Sequence, residues 1–181
     1  MQIFELSNNN IPAVAKLMTG IKPDWWDFKG AVGQLSDIGN TAALIGWMIG
    51  ETEQNPQGWL LCTDSGLYSC LNIECLGYDD NGDFVTEHQL EPLIDTAERY
   101  ARQKGRRILR YMISSTDMSC HGQPLGSYWE ALRDLKSHNR AHYDYFAGYG
   151  FKPAGFMPNA YGKGFHAIMM IKDLATVHNP C

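Results

Sequence analysis

Residues 139–174 read as a helix, a stop, a strand, a turn and a second strand, and this order constrains the fold more than any other part of the chain. Tyr143, Phe146 and Ala147 stand at i, i+3 and i+4, the spacing of one helical face. Gly150, just beyond them, supplies the left-handed residue that closes a helix. Residues 151–156 then read as a strand, followed by a turn rich in Pro158, Asn159, Gly162 and Gly164. Residues 165–171 carry the apolar run of a buried strand.

Upstream, residues 2–6 read as an edge strand, and Ser7 or a following Asn can cap a helix with Ile11, Val14, Ala15 and Met18 on its apolar face. Residues 24–35 read as a second short helix carrying Trp25, Trp26 and Phe28, with Gly30 and Gly33 weighing against it. Residues 42–49, 59–63 and 67–78 read as strands, the last two joined through the turn Thr63-Asp64-Ser65-Gly66, so the sheet is built mainly from hairpins. After the acidic loop 79–83, Leu90, Leu93, Ile94, Ala97, Tyr100 and Ala101 form one apolar stripe of the longest helix, ended by Gly105. Residues 108–113 form the next strand. Ser127 and Glu130 make a capping box for a further helix, whose Trp129, Leu132 and Leu135 are expected to pack in the core. No repeat, low-complexity run or linker divides these elements, so the expectation is a single domain over residues 1–181, of a length that buries about 70% of the unfolded surface.

Composition narrows the function. A formal net charge of -5 and 19% charged residues argue against a nucleic-acid partner. The N-terminus has no basic stretch before an apolar one, and residues 42–50 are too short for a bilayer that needs about 20 apolar residues, so no membrane role and a cytoplasmic setting are expected. Five cysteines without a C-x-x-C pair point to free thiols rather than a disulfide frame or a metal site, and Cys62, Cys70 and Cys75 read as small hydrophobes in strands.

The tail resembles the C-terminal half of the GNAT superfamily of acyl-CoA-dependent N-acyltransferases. In that family an Asn-x-x-Ala run, an aromatic pair, Gly-Phe, a short strand, a turn and a strand ending Met-x-Lys-x-Leu follow one another. Asn139, Ala141, Gly150, Phe151, Gly155, Met170, Lys172 and Leu174 occupy those places. The resemblance implies an α+β (α/β) fold, GNAT-like, with a mixed, mostly antiparallel sheet flanked by helices. It also implies acetyl-CoA as donor and a small-molecule amine or a peptide as acceptor.

Carried over position by position, the resemblance implies a cofactor-binding set of Cys75, Leu76, Gly77, Val85, Thr86, Glu87, His88, Gln89, Leu90 and Asn139. The family's pyrophosphate loop is Gln/Arg-x-x-Gly-x-Gly/Ala, whose backbone N–H groups hold the anion. Here Val85, His88 and Leu90 stand at its three marked places, among Asp79, Asp80, Asp83, Glu87 and Glu91. Pro92 suits the first turn of the helix that follows. Glu74 is the implied base by its place in a strand, with a plain solvent-facing carboxylate as the alternative. The family's Tyr, four residues before the Gly of Gly-Phe, is Phe146 here, so Tyr145 beside it is the candidate acid, with packing as the alternative. Trp25, Trp26 and Phe28 fall where the family places acceptor walls, and such aromatics suit an apolar or cationic amine. Exposed, the Trp25-Trp26 pair would instead favour a homodimer. The segment 115–138 is either an insertion packed on the core or a lid over the acceptor. Set against the enzyme reading is a non-catalytic, GNAT-derived ligand-binding or interaction module that has lost CoA binding, which the glycine-poor loop and Phe146 favour.

Overall fold

The computed structural model describes residues 1–38, 43–64, 66, 68–79, 90–138 and 142–175, and the chain forms two compact units, Met1–Arg106 and Arg107–Cys181. The first unit carries β1 (Gln2–Glu5), α1 (Ile11–Ile21), α2 (Phe28–Ser36), β2 (Leu44–Thr52), β3 (Asn55–Thr63), β4 (Cys70–Tyr78) and α3 (Glu91–Gln103). Its strands lie in the order β1-β2-β3-β4, each antiparallel to the next.

Helices cover both faces of this sheet, which explains why residues 46–50 of β2 and 58–62 of β3 are buried without interruption rather than in alternation. On one face Ile11, Val14, Ala15 and Met18 of α1 and Ala31 and Leu35 of α2 pack with Met48, Trp59 and Leu61. On the other, Tyr100 of α3 meets Trp47 of β2 edge to face, with ring centroids 5.5 Å apart. The predicted stripe of α3 holds: Leu93, Ile94, Ala97 and Ala101 are buried. The second helix differs from its expected bounds. Asp27 caps α2 by accepting the Gly30 N–H at 2.6 Å, so the helix starts at Phe28 and leaves Trp25 and Trp26 in the turn before it.

The second unit carries β5 (Ile108–Ser114), α4 (Tyr128–Arg133), α5 (His142–Gly148), β6 (Lys152–Gly162) and β7 (Phe165–Asp173), with strand order β5-β7-β6, antiparallel throughout. Phe146 of α5 is 1% exposed and packs between Tyr111 (4.6 Å) and Phe151 (5.2 Å). Gly150 closes the helix at φ +93 as its sequence position requires. Two expectations need correction here. Pro158 and Asn159 belong to an irregular stretch of β6, not to the turn, because the register slips between Met157 and Gly162 and Asn159 takes φ +54. Trp129 is 81% exposed, and α4 buries no residue, so its stripe is not core. Six residues are too few for helical periodicity to decide which face turns inward.

The loop after β5 is tied to the β6–β7 hairpin by the buried His166. Its Nδ1 accepts the Asn159 N–H (3.1 Å), its Nε2 lies 2.8 Å from the Gln123 carbonyl, and its own N–H donates to Ser115 Oγ (3.0 Å). The Asn159 bond requires an unprotonated Nδ1, so the proton sits on Nε2 and serves Gln123. No described helix is long and apolar enough to cross a membrane.

Candidate active site

The geometry most capable of chemistry lies on β4. Leu61 pairs with Cys75 and Cys62 with Ile73, so the ladder skips Glu74 and the strand bulges there. A bulge takes one residue's backbone out of the regular ladder and re-aims its side chain, an arrangement that recurs beside active sites. Glu74 is exposed and its carboxylate accepts a hydrogen bond from the Thr63 hydroxyl on β3. The bulge, and with it Thr63 as a partner of Glu74, has no signature in the sequence, because it depends on how β3 and β4 are paired.

Next to the bulge, Cys75 is half-buried. Burial pushes its thiol up to about 11, with the Glu74 carboxylate adding to the effect, so it stays a neutral thiol at physiological pH. Cys62, fully buried, is raised in the same direction and for the same reasons. Gly77 faces the Trp59 ring: a Cβ there would fall inside the indole, which only glycine permits. Cys62, Cys70, Cys75 and Cys120 are all free thiols.

Above this part of β4 stand the predicted aromatic residues. Trp26 Nε1 donates to Gln34 Oε1 of α2 at 2.7 Å, and Gln34 Nε2 reaches Cys75 Sγ at 3.8 Å. Trp26 meets Trp59 edge to face (6.5 Å, 83°) and Trp25 likewise (5.7 Å, 62°). The fold therefore joins Trp26, predicted for the acceptor, to Cys75, predicted for the cofactor, through a glutamine that sequence reasoning did not single out. Phe28 is 52% exposed at the first position of α2.

The remaining candidates are placed less favourably. Leu90 caps α3 without a side-chain bond, and its carbonyl takes both the Leu93 and Ile94 N–H groups at 3.0 Å. Pro92 has no N–H, so none of Pro92, Leu93 and Ile94 offers a donor to an anion. Glu91 adds negative charge to the same turn. Val85, Thr86, Glu87, His88, Gln89 and Asn139 lie outside the described residues. Tyr145 is half-buried on α5, edge-on to Phe146 (5.3 Å) and stacked on Tyr149 (6.3 Å, 21°), while Lys172 Nζ stands 4.2 Å from the Tyr149 centroid. Phe146, beside it, is a core residue.

No protein-family model and no curated protein matches the sequence. Solved structures do match over nearly the whole chain. The aminoglycoside 6'-N-acetyltransferase from Enterococcus faecium superposes with a TM-score of 0.79 at 15% identity, covering 96% of this chain and 97% of that one. An aminoglycoside 6'-N-acetyltransferase complexed with coenzyme A gives 0.82 at 15% identity, with 96% and 97% covered. The ribosomal-protein-S18-alanine N-acetyltransferase from Escherichia coli gives 0.63 at 11% identity, with 99% and 97% covered.

Proposed function

We propose, for a chain that has the GNAT fold, that it is an N-acyltransferase moving an acetyl group from acetyl-CoA to an amine of a small molecule or peptide. The observation that carries this reading is the β4 bulge at Glu74, set beside the Trp26–Gln34–Cys75 contact in a fold shared with N-acetyltransferases. In the reaction the acceptor nitrogen attacks the thioester carbonyl, the C–N bond forms and the C–S bond breaks. Glu74 takes the amine proton, directly or through a water, and Thr63 holds its carboxylate in place. Backbone released from the ladder at the bulge serves the carbonyl oxygen as charge develops on it. Tyr145 is the proposed proton donor to the departing thiolate.

Acetyl-CoA supplies the activated acyl group. Of its proposed contacts, Cys75, Leu76 and Gly77 offer extended backbone on β4, while the described start of α3 offers little to its phosphates. That second observation favours the alternative, a ligand-binding module that has lost CoA. Calorimetric titration of the purified protein with acetyl-CoA and with CoA separates the two. Micromolar binding is expected, and the absence of binding at millimolar ligand would overturn the acyltransferase reading.

A further inference from the structure

We propose that Trp25 and Trp26 form a subsite for a primary ammonium group of the acceptor, kept in shape by Gln34 and covered in the resting protein by Lys22. The proposal deepens the acyltransferase reading and rests on it for calling the ligand an acceptor.

Trp25 is 71% exposed, so its ring lies at the surface. Lys22 Nζ already lies 5.7 Å from its centroid, within the range at which a ring face attracts an ammonium. The chain therefore places its own primary ammonium where the ligand's would go. Trp26, edge-on to Trp25, has a single polar donor, and that N–H is committed to Gln34. The part of the half-buried Trp26 that a ligand can reach therefore offers ring rather than a donor, which suits cations and apolar groups rather than anions. Gln34 is half-buried on α2, next to the buried Leu35. Its amide adds a directional restraint on the indole, held at one end by Trp26 and at the other by Cys75. Lys22 belongs to the exposed turn after α1, and its flexible side chain can leave the ring when a competing ammonium arrives.

The test is fluorescence titration of the full chain with spermidine as the probe amine, run beside a titration with acetyl-CoA. Lys22→Gln, which removes the internal competitor, is expected to tighten spermidine binding about two- to fivefold. Gln34→Leu is expected to weaken it by about tenfold, and Gln34→Glu, which keeps the acceptor for the indole, to bind at least as well as wild type. The acetyl-CoA affinity should change in none of them. An unchanged or weaker affinity in Lys22→Gln, an unchanged affinity in Gln34→Leu, or no binding of spermidine by the wild type would overturn the subsite. If Gln34→Leu does not fold, Lys22→Gln decides alone, since replacing an exposed lysine leaves the packing intact. A wild type that binds spermidine but not acetyl-CoA would remove the acyltransferase reading and leave the ammonium subsite standing.

Discussion

Glu74 and Tyr145 carry the proposed proton transfers, and each makes a separate expectation. Glu74→Gln removes the base but keeps the shape and an acceptor for Thr63, so kcat should fall about 100-fold or more with the acetyl-CoA affinity unchanged. Full turnover by this variant would exclude Glu74 as the base. Tyr145→Phe keeps the rings on Phe146 and Tyr149 and removes only the hydroxyl, so kcat should fall, as steady-state kinetics would record. The thiols make a prediction about pH. The Cys75 thiol sits at about 11 in the folded protein against 9.0 for an ordinary cysteine, because burial disfavours the thiolate. The folded state holds this proton more tightly than the unfolded one, so the stabilisation is complete below pH 9 and is lost as pH rises from 9 to 11. Cys62 acts in the same direction. Urea midpoints measured across this range should fall for the wild type and fall less steeply for Cys75→Ala, which leaves the Cys62 contribution in place.

At the scale of elements, β4 is where local sequence and cross-strand packing meet. Gly77→Ala puts a methyl group into the Trp59 ring, and overpacking of this kind should cost about 1–3 kcal/mol in denaturant unfolding. A variant as stable as wild type would mean that Trp59 can turn aside freely. The helices with long apolar stripes were legible from their spacing: α1 buries Ile11, Val14, Ala15 and Met18, and α3 buries Leu93, Ile94, Ala97 and Ala101, as that spacing requires. α2 was expected a few residues early, with Trp25 and Trp26 on it, whereas the Asp27 cap decides the start. α4 was legible at its cap, where Ser127 accepts the Glu130 N–H, but not at its face, since Trp129 points outward. The bulge at Glu74 and the Trp26–Gln34–Cys75 chain were not legible at all. Both join residues distant in sequence whose pairing is settled only when sheet and helix come together.

Over the whole molecule, charge is divided unevenly between the two units. Up to Arg106 the sequence holds fifteen acidic and seven basic residues, and from Arg107 onward five acidic and eight basic, which together make the net -5. A negative field over the unit that bears Trp25 and Trp26 should draw cationic amines and repel anions. Spermidine binding should therefore weaken as salt rises from about 0.1 to about 1 M, where the screening length shrinks from about 10 to about 3 Å. An affinity independent of salt would assign the binding to ring contact alone. The sequence by itself determined the order of helices and strands, because hydrophobic period, glycine stops and caps act between near neighbours, and the resemblance of its tail implied the GNAT-like α+β class. It also marked Glu74, Cys75, Trp25 and Trp26 as candidates by their places in that order. Tertiary structure decided which of them meet, because the register of β3 on β4 and the seating of α2 are cooperative choices of packing that no local stretch of chain encodes.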